Sequence, residues 1–198
     1  RYSGDVQVLG ESTKGRRVSD IAMRVGLMLE DYESQLVSLT AGEEVAFSLL
    51  NHGFAPEEVK ERTRKALEDV GLPGRESYQL DELSGGQRQA LTLLMATLRK
   101  PDLLLLDEHT AALDPKTADK VLQITEEIVA RDNLTTLMVT HNMKDAIVHG
   151  NRLIMMWDGK IILDIKGEEK KNLTVDVLLH QFTVASGKEF ANDRALLG

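Results

Sequence analysis

A chain of 198 residues fits one domain, and at that size about 70% of the unfolded surface can be buried in a single core. With no cysteine, disulfides and thiolate metal sites are excluded. The 24 Lys+Arg against 32 Asp+Glu give a formal charge of -8, which disfavours nonspecific attraction to nucleic acid or an anionic membrane.

Asp5–Gly10 alternates like a half-exposed strand ending in a turn, and Ile21–Leu29 is an apolar stretch that ends in another, so strands are expected to dominate the first thirty or so residues. Between Thr40 and Val70 the spacing becomes helical: Val45, Leu49 and Leu50, then Val59, Thr63, Ala66, Leu67 and Val70. Pro56 opens the second helix and Gly71-Leu72-Pro73-Gly74 ends it. Ser84 begins a further helix with Leu91, Leu94, Met95 and Leu98 on one face, stopped at Lys100-Pro101. Leu103–Leu106 is expected as a fully buried strand, followed by a helix over Lys116–Ala130 and a strand over Leu134–Thr140. This strand, helix, strand order argues for a parallel sheet flanked by helices, with ligands at the carboxyl ends of the strands. Leu153–Trp157 and Ile161–Ile165 form a hairpin around Asp158-Gly159, and the charged remainder holds one helix-like run at Val175–Leu179. No apolar run approaches the roughly 20 residues of a membrane-spanning helix. The chain opens at Arg1 with no leader pattern, and its front is expected to be trimmed.

Three places carry chemistry. In Leu83-Ser84-Gly85-Gly86-Gln87-Arg88-Gln89, Ser84 and Gln87 read as a capping box, but two glycines in a first turn weaken a helix and call for compensation. Bare backbone, a hydroxyl and the positive end of a helix are what phosphate binding needs. Leu103–Leu106 runs into Asp107 and Glu108, which are either solvated charges where a strand surfaces or paired catalytic carboxylates. In the second case Asp107 holds Mg2+ and Glu108 polarises the water that attacks a γ-phosphate. His141 follows the Leu134–Thr140 strand directly; beyond a structural role, its imidazole could donate to a γ-phosphate oxygen and orient the water. His52, His109, His149 and His180 have no metal-site spacing.

Leu83–Gln87 resembles the signature motif of ABC ATPases, Leu103–Glu108 their Walker B strand, Thr110–Asp114 their D-loop, and His141 their switch histidine. The resemblance is tight from Leu83 to His141. It implies a P-loop NTPase-type α/β fold with a mainly parallel sheet flanked by helices and an inserted helical subdomain, N-terminally truncated. One domain over 1–198 is expected: a sheet region at about 1–29, a Q-loop and helical subdomain at 30–99, a catalytic core at 100–165 and a tail at 166–198. It further implies ATP and Mg2+ as cofactors, and a head-to-tail dimer, of like or unlike chains, in which Ser84, Gly85, Gly86 and Gln87 face the ATP held by the other subunit. Asp114 would then help couple the two sites.

The chain departs from the family twice. No G-x-x-x-x-G-K-[ST] loop occurs in it, so the fragment is expected to be inactive alone. Glu30 stands where the family usually has the Q-loop glutamine that touches Mg2+ or its water. Val25–Leu50 is similar to ATPases of energy-coupling-factor vitamin and cobalt importers. Glu108-His109-Thr110 and the tail Glu189–Arg194 resemble ATPases of importers with a substrate-binding protein, some for aromatic amino acids. Either implies a peripheral protein on the cytoplasmic side of the membrane, coupled to transmembrane permease subunits through a surface around Glu30–Phe47. Two rivals stay open: an ATPase of DNA maintenance, disfavoured by the short Val59–Val70 helix and the acidic balance, and a noncatalytic module lending only its signature to a partner's site.

Overall fold

A computed structural model describes residues 4–186; the Glu189–Arg194 tail lies outside the described residues. The chain forms two compact units, one up to Val139 and one from Thr140 onward.

The first unit starts with a two-residue hairpin, β1 (Gln7–Val8) and β2 (Glu11–Ser12), then the short helix α1 (Val18–Ala22) and strand β3 (Val25–Met28). The apolar stretch from Ile21 ends in a strand, β3, as expected, while its first two residues, Ile21 and Ala22, lie in α1. Helices α2 (Ala41–Asn51), α3 (Pro56–Asp69) and α4 (Gly85–Thr97) are inserted before β4 (Leu103–Asp107), which is followed by α5 (Pro115–Asp132) and β5 (Thr136–Val139).

Local chemistry fixes these starts. The Glu43 amide donates to Thr40 Oγ1 at 3.2 Å while Glu43 Oε2 accepts from the Thr40 amide at 3.1 Å, closing a capping box on α2. Pro56 occupies the first turn of α3, where its missing N–H costs nothing. Asn133 ends α5 in the left-handed conformation at φ 52°.

Strands β3, β4 and β5 form a parallel sheet in the order β3-β4-β5, with Met28 opposite Leu106 and Asp107 opposite Val139. The α/β expectation of a parallel sheet flanked by helices is what the structure shows. Its covered face carries Met28, Leu104 and Leu106, which join Leu67, Leu72, Leu91, Leu93 and Ile128 in one core. Helix α4 lies so close to β3 that a Cβ on Gly26 would stand 2.2 Å from the Ala96 carbonyl oxygen, so only glycine fits there. The expected full burial of Leu103–Leu106 holds on that face alone. Leu103 and Leu105 point the other way and are half-buried, beside Leu27 at 42% exposure and Leu137 at 53%.

The second unit contains α6 (Met143–Val148), the antiparallel pair β6 (Arg152–Trp157) and β7 (Lys160–Lys166), α7 (Glu168–Lys171) and α8 (Val175–Ser186). Asp158 and Gly159 both take positive φ, as a two-residue hairpin turn requires. Met143, Leu153, Ile165, Leu173 and Leu178 make its own core, and the Trp157 and Phe182 rings meet edge to face at 4.7 Å. The Lys170 ammonium is buried and donates to the Ile147 and His149 carbonyls at the end of α6; that burial lowers its pKa. Among the described residues no helix is long and apolar enough to cross a membrane.

Candidate functional site

The parallel register brings three of the expected carboxylates to one edge. Because Met28 lies opposite Leu106, Glu30 leaves β3 beside the end of β4, where Asp107 is the last strand residue and Glu108 the next. The Glu108 amide donates to the Val139 carbonyl at 3.0 Å, which ties this turn to the end of β5. Glu108 takes φ 46°, an unusual conformation for a non-glycine residue, and one that sets its side chain direction off from that of the strand. Asp107 and Glu30 are exposed and Glu108 is partly covered.

The start of α4 is a closed capping box. Ser84 Oγ accepts from the Gln87 amide at 3.3 Å, and Gln87 Oε1 accepts from the Ser84 amide at 2.9 Å. The hydroxyl proton of Ser84 is left for donation, and the amides of Gly85 and Gly86 belong to the first turn, which has no intrahelical acceptors for them. The two readings of this segment are therefore compatible: one set of atoms caps the helix and another is available to an anion. The glycines also have a packing reason that the sequence does not display. A Cβ on Gly86 would stand 2.3 Å from Thr117 Cγ2, and one on Gly85 would stand 3.3 Å from the Tyr32 hydroxyl.

Asp114 caps α5. Its carboxylate accepts from the Thr117 amide at 3.1 Å, and the Thr117 hydroxyl and amide together hold it below the usual carboxylate range. Thr117 thus serves both the α5 cap and the bed on which Gly86 rests. Histidine 109, next to the carboxylates, is buried against α5 with Nε2 3.3 Å from Thr125 Oγ1. His141 belongs to the second unit, two residues past β5 and directly before Asn142, whose side chain caps α6 by accepting from the Lys144 and Asp145 amides.

Contacts unseen at the sequence level surround the turn after Glu30. Gln35 brackets the end of β3, donating from Nε2 to the Leu27 carbonyl at 3.1 Å and accepting from the Leu29 amide at 2.9 Å. Glu44, buried on α2, accepts from the amides of Val37 and Ser38 at 3.0 and 2.7 Å. Leu36, Val37, Phe47, Asn51, His52 and Met95 line a shallow open depression alongside. Val37 among these, and Leu39 two residues on in the chain, are both more than two-thirds exposed.

A central parallel strand ending in carboxylates within a helix-flanked α/β sheet is the fold class of the P-loop NTPases. The family model described as ABC transporter matches residues 1–111, more than half of the sequence, and the chain belongs to that family. It is 57% identical over 121 residues to a tyrosine transport ATP-binding protein of Clostridioides difficile, across 60% of this chain and 48% of that protein. It is 35% identical over 159 residues to an energy-coupling factor transporter ATP-binding protein of Lacticaseibacillus paracasei, across 80% of this chain and 57% of that one. Among solved structures it superposes on cbiO1 of Clostridium perfringens, described as part of the transporter complex cbiONQ, with TM-score 0.76, 22% identity and coverage of 92% and 72%, which bears on fold alone. A second match, an ATP-binding cassette solved as a dimer in a post-hydrolysis state with ADP and Pi, gives TM-score 0.69 and 26% identity over 83% of this chain and 73% of that one. The chain spans about half the length of the curated relatives it matches.

Proposed function

We propose that the chain belongs to an ATP-hydrolysing subunit of an ABC importer. The observation that carries this reading is the shared edge of Glu30, Asp107 and Glu108 in a fold whose helix α4 opens with a glycine-bearing capped turn. The oxygen donors at that edge suit a hard cation.

Asp107 and Glu30 would hold Mg2+, which when bound neutralises phosphate charge. Glu108 orients and polarises the attacking water as general base, and His141 donates to the γ-phosphate oxygen. Ser84 Oγ–H and the amides of Gly85 and Gly86, with Gln87 beside them, face the nucleotide of a second ABC unit, a copy of this chain or a close relative of it. Asp114 lies where the two sites would communicate. The depression beside Phe47 and the exposed Val37 and Leu39 support docking of a cytoplasmic helix from a transmembrane subunit, with the protein peripheral to the cytoplasmic face of the membrane as the reading that goes with it. The tyrosine transport relative supports a small aromatic amino acid as cargo, and a substrate-binding protein is a further partner of this reading. Nucleic acid is not expected as a partner of a chain with charge -8.

The test is ATP hydrolysis by the complete protein with Mg2+. Glu108→Gln should lower turnover by about 10²- to 10⁴-fold while ATP binding persists. Unchanged turnover in that variant would overturn the assignment.

A further inference from the structure

We propose that Glu33 and Arg88 are positioning residues, an ion pair that holds the Ser84–Gln87 turn in register with the segment leaving β3 at Glu30; this rests on the reading above. The Arg88 guanidinium lies with Nε 3.0 Å and Nη2 2.8 Å from Glu33 Oε1, joining positions 55 apart in the chain. Its Nη1 turns the other way and donates to the carbonyls of Leu83 and Leu80, the first of which belongs to the residue before Ser84. Arg88 is also in the first turns of α4, its own amide bonded to the Ser84 carbonyl at 2.9 Å. One cation therefore grips the backbone just ahead of the signature turn and reaches out to Glu33.

Glu33 sits in a single 3-10 turn, Tyr32–Gln35, that is itself anchored at both ends. Asp31 caps it by accepting from the Ser34 amide, and Gln35 brackets Leu27 and Leu29 on β3. Within the same turn Tyr32 is buried, its hydroxyl against Gly85. The turn is thus a strut: Gln35 fixes it to the strand that presents Glu30, and Glu33 with Tyr32 fixes it to the helix that presents Ser84. An isolated surface ion pair would hold little. Here the Arg88 side chain is 23% exposed and its fork is already oriented by two carbonyls, so little freedom remains to be lost when Glu33 joins. A push on the depression beside this strut is then passed to the signature turn through Glu33.

The experiment uses the complete protein with Glu33→Gln, which keeps the shape and removes the charge, and Glu33→Asp, which keeps the charge. Hydrogen exchange without nucleotide reads the amides of Gln87 and Arg88, both bonded to Ser84, and steady-state hydrolysis reads kcat and KM. Glu33→Gln should speed exchange at those two amides about tenfold, with the rest of α4 unchanged, and lower kcat at unchanged KM; Glu33→Asp should restore part of both. Exchange at Gln87 and Arg88 equal to wild type, or raised equally along all of α4, would overturn the proposal. Should the wild-type protein hydrolyse no ATP, the functional reading fails and the exchange result still decides this one.

Discussion

The start of α4 and the end of β4 carry comparable weight in the proposed chemistry, yet the fold holds them differently. At Ser84 the backbone is closed by a reciprocal capping box, pressed by Thr117 and Tyr32 at its glycines and gripped by Arg88. At Asp107 the strand reaches solvent, the Glu108 amide donating to Val139 and its carbonyl accepting from Ala111 mark the turn, and the sheet face behind it shows Leu27 and Leu137 to water. The helix start is preorganised by its own surroundings. The carboxylate edge is set by the register of the sheet and by the turn that follows Asp107.

Four changes break or sharpen that contrast. The largest effect belongs to the core under the helix: Leu91→Ala removes a fully buried side chain and should cost about 2–5 kcal/mol in denaturant unfolding. Gly86→Ala should cost about 1–3 kcal/mol, because its methyl would meet Thr117 Cγ2, and adding Thr117→Ser should recover much of the loss in the same measurement. If the pair gave no recovery, Gly86 would owe its place to something other than Thr117.

Asp114→Asn keeps the cap and removes a charge. The folded carboxylate titrates below its unfolded value, so its contribution to stability is present above the ordinary carboxylate range and is lost as pH falls through the lowered folded value. Thermal midpoints compared at pH 7 and in acid should therefore differ less in the variant than in wild type. The smallest effect is expected on the open sheet face, where Leu137→Ser should change the stability of this chain by less than about 0.5 kcal/mol. A loss like that of Leu91→Ala would show the face to be covered.

The helical lobe was readable because its signals are local. Pro56, and Ser84 with Gln87, each mark a start within one turn, and Val59, Thr63, Ala66 and Leu67 mark a buried face by spacing alone. The parallel sheet followed from the strand, helix, strand order. Other features depend on which residue lies across a gap, and periodicity carries no such information. A run of four leucines looks the same whether one face or both are covered, so the half-exposure of Leu103 and Leu105 was invisible. The boundary between α1 and β3 was not legible because Ile21 is apolar in both a strand and a one-turn helix. At the candidate site the residue types and their edge could be anticipated, whereas the bracing by Gln35, Glu33, Arg88 and Thr117 could not, since each joins segments that are distant in sequence or pairs a glycine with a neighbour's methyl.

In the proposed mechanism a signature turn on one chain and a carboxylate pair on another act on the same nucleotide. Purified oligomers assembled from differently tagged Ser84→Arg and Glu108→Gln chains of the complete protein should hydrolyse ATP well above either variant alone, because one composite site then keeps an unaltered turn and an unaltered Glu108. Hydrolysis by the mixture no faster than by the separate variants would contradict the account.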